Sequence, residues 1–228
     1  MGNNFLLANF RSTRFFACRF HFAIFAIALG FGATTFAQQA PAHAASTQPG
    51  SAQKKTFEFD AAQTTVTYTL GATMHTVHGT FKLKHGSIKF DEATGQSSGE
   101  LTVDATTGDS GNQGRDSKMN KDILESRKYP EIIFTPQRFK GNLAGTGESH
   151  LEVEGQFMIH GQAHPMTLMI DADLSGKADA TADTEFDVPY QKWGMKNPST
   201  FILRVDDKVQ IHIHAVAKQV AAQQASSH

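Results

Sequence analysis

The chain of 228 residues contains a single cysteine, Cys18, and it lies near the very beginning. Everything after it is therefore closed to disulfides, thiol catalysis and cysteine-ligated zinc. A domain of this length can bury enough core to do without such staples. No basic run of the kind that tracks a phosphate backbone occurs, which excludes nucleic acid as a partner. There is no HExxH helix, no GxSxG elbow and no glycine-rich phosphate loop. Asp104 and Asp109, or Glu125 and Glu131, have no spacing that forces two carboxylates together. The chain reads as a binding protein, not an enzyme, with no cofactor required.

What is present first is an export signal. Arg11, Arg14 and Arg19 supply a positive start, and no acidic residue precedes Glu58. The apolar run "FHFAIFAIALGFGATTFA" (20–37) follows, short of a full span and ending in small residues. Thr35 and Ala37 stand at −3 and −1 of a cut before Gln38. The competing reading, a retained single-span anchor, is opposed by His21 and by the Gly and Thr residues that dilute the run. "FFAC" lacks the small residues of a lipoprotein cleavage site. The expected compartment is periplasmic or secreted. Without the three arginines of 1–37, 18 basic residues face 22 acidic ones.

Residues 38–53 hold Ala, Gln, Pro and Ser with no large apolar side chain, a disordered linker by composition. The tail 218–228 reads the same way. Between them, 54–217 is the size of one domain. It alternates with period two almost throughout. Phe57 and Phe59 oppose Glu58 and Asp60; Val66, Tyr68 and Leu70 alternate with threonines. Val77, Gly79, Phe81 and Leu83 share one face, and Ile88 and Phe90 continue after an "HG" turn. Leu101, Val103 and Ala105, then Leu151, Val153, Phe157 and Ile159, do likewise. "HPMTLMIDADL" follows a turn at Gly161, and "FILRVDD" with "KVQIHIHAVA" predicts a closing hairpin turning near Asp206–Lys208. Eight to ten short strands with one wet face predict an all-β, antiparallel barrel, because closure removes the edges. One segment, 114–130, has Met119, Ile123 and Leu124 at helical spacing. With Asp116 or Ser117 as N-cap and Pro130 as its end, it predicts a short helix across an open end of the barrel.

Eleven histidines invite a metal reading. His75 and His78 are three apart, so on a strand they face opposite ways. His212 and His214 share a face, about 6.6 Å apart along a strand, but need a third ligand from elsewhere. His160 and His164 flank a turn and have no interleaved glutamate. Arg115 and Asp116 form the other polar pair, either a cap and ion pair on the barrel rim or a cation for an anionic head group.

"HTVHGTFKLKHGSIKFD" and "SGELTVDATTGDSGNQGRDSKMNKDILESRKYPEIIFTP" together resemble the YceI-like family of exported lipocalin-like proteins. The order of features also matches, through "GQFMIHG" at 155–161 to the closing strand at 209–213. The resemblance implies an antiparallel barrel around an elongated apolar pocket holding a polyisoprenoid, quinone or fatty-acyl lipid. The inward set expected to touch it is Phe57, Phe59, Tyr68, Phe81, Phe90, Phe134, Phe157 and Phe201, with Gly79, Gly155 and Ala105 leaving space and Arg115 at the mouth. Two other readings stay open: a periplasmic metal- or haem-binding module using surface histidines, and a filled barrel serving only protein–protein interaction. A transient membrane or protein partner fits a carrier; the oligomeric state is not legible.

Overall fold

Period-two alternation becomes nine antiparallel strands in the computed structural model, which describes residues 54–175 and 179–220. In chain order they are β1 (Lys54–Phe59), β2 (Thr65–Leu70), β3 (Val77–Asp91), β4 (Gln96–Asp109), β5 (Glu131–Gly141), β6 (Glu148–Ile159), β7 (Gln162–Asp173), β8 (Asp179–Val188) and β9 (Val209–Val220). The order around the sheet is β1-β3-β2-β9-β8-β7-β6-β5-β4, and β3 pairs with β4 to close it. β1 and β2 both lie between β3 and β9, β1 against Ser87–Asp91 and β2 against Val77–Phe81. They act as one strand interrupted at 60–64, so the barrel has eight positions. Every described strand has two neighbours, which closes the sheet on itself and pairs most of its edges.

Side chains facing inward build one core, with Val153 and Val188 each 1% exposed. One inward position is charged. Lys55, on the same face of β1 as Phe57 and Phe59, is buried at one end of the barrel. Its Nζ donates to Glu92 Oε1 and to the Leu143 carbonyl, both at 2.7 Å. With an ion pair and carbonyl acceptors, the buried ammonium is satisfied, and burying it unpaired would cost several kcal/mol. Lys55, Leu143 and Leu174 are thus packed together at that end.

At the other end, α1 (Gln113–Lys118) runs on into a π-helical turn, Met119–Ile123. The expected helix is there, but its cap is Asn112, whose side chain accepts from the Arg115 amide at 3.0 Å. Neither Asp116 nor Ser117 caps it. The β6–β7 hairpin turns on His160 and Gly161, both at positive φ (53° and 74°), the primed turn that matches strand twist. β7 pairs with β8 only over Ile170–Asp173. Toward the helix end the two strands splay, and Trp193 stacks on His164 at 4.0 Å beside the splay.

Three expectations are corrected. "HG" at 85–86 is no turn, because β3 runs through it. A bulge between Leu83 and His85 shifts the register, so the inward positions change from odd to even. The closing hairpin does not form either; β9 pairs instead with β8, β2 and β1. Residues 201–204 belong to no strand, and Val205 makes a lone bridge to Ala72. β8 fills the place expected for them. Finally, β9 runs to Val220, so the first three residues of the expected tail are strand. The expected signal (1–37), linker (38–53) and the tail beyond 220 lie outside the described residues. Among the described residues, no helix is long and apolar enough to cross a membrane.

Candidate functional site: an apolar chamber with one polar rim

The strands surround two voids that share part of their walls. The larger, about 540 Å³, lies at the helix end. The smaller, about 100 Å³, lies toward Lys55. Val103, Ile132, Phe157, Phe186 and Ile213 wall both, forming a waist between them. The small chamber is apolar apart from Thr181 and Thr184. The large one is apolar except at its mouth, where His75, Arg115, Lys118 and Thr200 border it together with the hydroxyl-bearing rings of Tyr68 and Tyr190.

Of the sequence-predicted residues, Phe57, Phe59, Phe90 and Phe134 line the small chamber, while Tyr68 and Phe81 line the large one. Phe157 lines both. Their rings pack in edge and tilted pairs, Phe57 with Phe90 at 6.0 Å and Tyr68 with Phe81 at 5.5 Å. Phe201 lines neither chamber. It is fully exposed, because the segment carrying it is a loop without strand alternation. Other wall residues are absent from the expected set: Phe186, Met119, Ile123, Leu124, Tyr190, Met195 and Leu203. Alternation in "TEFDV" could have found Phe186; the last three sit in loops, where no period marks them.

Gly79 and Gly155 do not leave space for a ligand. A Cβ at Gly79 would lie 2.5 Å from Tyr68 Cε1 and from the Asp109 carbonyl oxygen. One at Gly155 would lie 2.9 Å from Phe134 Cζ and 2.5 Å from the Thr135 carbonyl. The aromatic rings already lie over the glycines, the packing that rescues glycine in strands.

Arg115 sits half-buried in the chamber wall. Its Nε donates to Ser110 Oγ at 2.7 Å and its Nη2 to the Ser110 carbonyl at 2.7 Å. Ser110 Oγ in turn donates to Asp116 Oδ1, which also accepts the Ser110 amide at 2.9 Å. The Arg115–Asp116 pair is thus joined through Ser110, which holds the guanidinium at the mouth. Burial pushes the Tyr68 phenol above its ordinary range, partly offset by the Ser110 hydroxyl beside it. Burial likewise raises Tyr190 to about 12, aided by Asp207 and Asp206, so both rings stay neutral donors at pH 7.

The histidines separate. His75 faces the chamber, whereas His78 Nδ1 lies 3.1 Å from Thr69 Oγ1 on the outer face. His212 and His214 both approach Asp183 on β8, at 3.4 and 2.9 Å. His160 packs on Tyr129 and His164 on Trp193. Among the described residues, no three His, Cys, Asp or Glu side chains converge as a metal site.

Comparison with known proteins agrees with this geometry. A UPF0312 protein of Pseudomonas putida (strain W619) is 33% identical over 104 residues, which are 44% of this chain and 52% of the relative. One from Pseudomonas fluorescens (strain SBW25) is 28% identical over 138 residues, 57% of this chain and 69% of the relative. The chain spans about half the length of the first curated relatives it matches. Among solved structures, Burkholderia cenocepacia BcnA superposes with a TM-score of 0.57 at 24% identity, covering 70% of this chain and 99% of that one. A polyisoprenoid binding domain from Saccharophagus degradans, implicated in plant cell wall breakdown, gives 0.56 at 12% identity over 72% and 98%. At those identities the likeness is one of fold. The YceI-like domain model matches residues 57–217, the barrel from β1 to β9, and this chain belongs to that family.

Proposed function

We propose that the protein is an exported, periplasmic or secreted carrier or scavenger that holds a long apolar lipid, of polyisoprenoid, quinone or fatty-acyl type, along the barrel axis. The observation that carries this reading is the chamber of about 540 Å³ with apolar walls and a polar rim at one end. Ligand pockets span about 300–1,000 Å³. Kept as a dry void at ~24 cal/mol per Å³, this volume would cost about 13 kcal/mol, as much as a whole domain's stability of about 5–15 kcal/mol. An apolar occupant would remove that cost, which supports a lipid-holding barrel over a filled one serving only protein contacts. Each isoprene unit brings five carbons, about 4 kcal/mol when buried. Three such units, about 12 kcal/mol, offset most of the 4–15 kcal/mol that immobilising a ligand costs. Arg115 at the rim favours an acidic or hydrogen-bonding head.

Native mass spectrometry of protein purified from a membrane-containing lysate, followed by organic extraction, tests the reading. An adduct with isoprenoid or acyl fragments is expected. A bare mass that stays bare after quinones, prenyl lipids and fatty acids are offered would sink it. An adduct of metal mass would favour the histidines instead.

A further inference from the structure

Only five large apolar side chains are exposed among the described residues, and three of them cluster: Met74 at 79%, Ile202 at 80% and Phe201 at 102%. They sit on two loops tied to each other. Thr73 donates its amide to the Arg204 carbonyl at 2.9 Å, and the Arg204 amide returns a bond to Thr73 Oγ1 at 3.1 Å. The bridge Ala72–Val205 completes a small ribbon. The same two loops border the chamber mouth through Ala72, His75, Thr200, Leu203 and Val205. The apolar tips are thus held beside the chamber mouth, where an apolar ligand would cross between chamber and outside. Lys118, Lys196 and Arg204 are exposed on the mouth segments and enter no ion pair among the described residues. The acid nearest Arg204 in sequence, Asp206, comes after the bridge, and Asp116, two residues before Lys118, is engaged by Ser110.

We propose that the ribbon of Met74, Phe201 and Ile202 docks the mouth onto an anionic lipid bilayer, so that the ligand passes between membrane and chamber without crossing water. Apolar tips backed by cations are the recipe for interfacial binding, in which buried apolar area and attraction to anionic head groups add. Phe and Ile also do nothing for the fold where they stand, since both are solvated. The inference rests on the lipid-carrier reading for its purpose, but the surface can be tested separately.

The probe is vesicles of phosphatidylcholine, with or without phosphatidylglycerol, floated with the chain from Gln38 onward. All strand pairings lie within it, and it lacks the apolar run 20–37 that would bind vesicles by itself. Flotation with phosphatidylglycerol is expected, weakening with salt. Phe201→Ser/Ile202→Ser should lower it at least about tenfold, because each lost side chain removes about a tenfold factor or more of burial. Its thermal midpoint and its lipid occupancy by mass spectrometry should stay at wild-type values. Transfer of a fluorescent prenyl lipid from vesicles should slow to match. Equal flotation of wild type and variant, or none by either, overturns the proposal. A dimer seen by sedimentation that this variant dissolves would overturn it in favour of a second copy of the chain. If the protein docks but never holds lipid, the carrier reading fails while the docking stands. If it holds lipid and the variant transfers it at the wild-type rate, the docking fails alone.

Discussion

On the lipid-carrier reading, head-group choice would turn on Arg115, the one guanidinium in the chamber wall among the described residues, whose orientation Ser110 already fixes. Arg115→Gln should weaken binding of acidic-headed lipids about tenfold, given about 1.5–3 kcal/mol for a charged hydrogen bond, and leave neutral quinones unchanged. Titration calorimetry with a fatty acid and its alcohol separates the two; equal losses for both would show that the side chain only supports the wall. Two histidines respond to pH in opposite directions. The Asp171 carboxylate, 2.6 Å from His150 Nδ1, raises that imidazole above its ordinary 6.5. The stability it adds is complete below about 6.5 and fades as pH climbs through the raised value. His164, desolvated against Trp193, shifts the other way. Its contribution holds above about 6.5 and is lost as pH falls through the lowered value. Ring proton shifts followed by NMR should therefore show His150 titrating above His164. Asp171→Asn should bring His150 back toward 6.5 without moving His164, and a single common midpoint would contradict both placements.

At the scale of the element, the glycine–aromatic contacts make the strands around the mouth intolerant of even one methyl group. Gly79→Ala must push against the Asp109 backbone as well as the Tyr68 ring, so a loss of about 1–3 kcal/mol is expected. Gly145→Ala, with nothing within 4 Å, is the matched control and should be near neutral. Urea midpoints decide it, read at constant m; similar midpoints for the two would remove the close approach. Strands were legible in the sequence wherever one face was apolar, since a period of two has no other cheap explanation. β6 shows this best, with Leu151, Val153, Phe157 and Ile159 all buried as expected. β8 was not legible, because "DATADTEFDV" is rich in Ala and Asp and only its pairing with β9 makes it a strand. The bulge in β3 was invisible for a different reason: a phase change in alternation looks the same as a turn. Seven of the eight aromatic residues expected on the wall line a chamber. Phe201 was misplaced because alternation was extended into a loop, and Tyr190, Met195 and Leu203 were missed because loops carry no period.

For the whole molecule, the waist divides the barrel into two chambers of unequal size, and its width should set how long a chain fits. Val103→Phe would fill the waist from β4 while leaving the outer chamber of about 540 Å³ in place. Native mass spectrometry after offering a ladder of prenyl lengths should then show shorter adducts than wild type; an unchanged length distribution would mean that the inner chamber is never entered. If the barrel carries lipid and the buried ammonium of Lys55, clamped by Glu92 and the Leu143 carbonyl, stoppers its far end, a further consequence follows. A tube stoppered at one end has no through traffic. Whatever goes in tail first must come out head first, and a second guest has to wait for the first to leave. Exchange in such a blind alley is strictly one at a time, so any partner that unloads the barrel must work at the same doorway as the one that fills it.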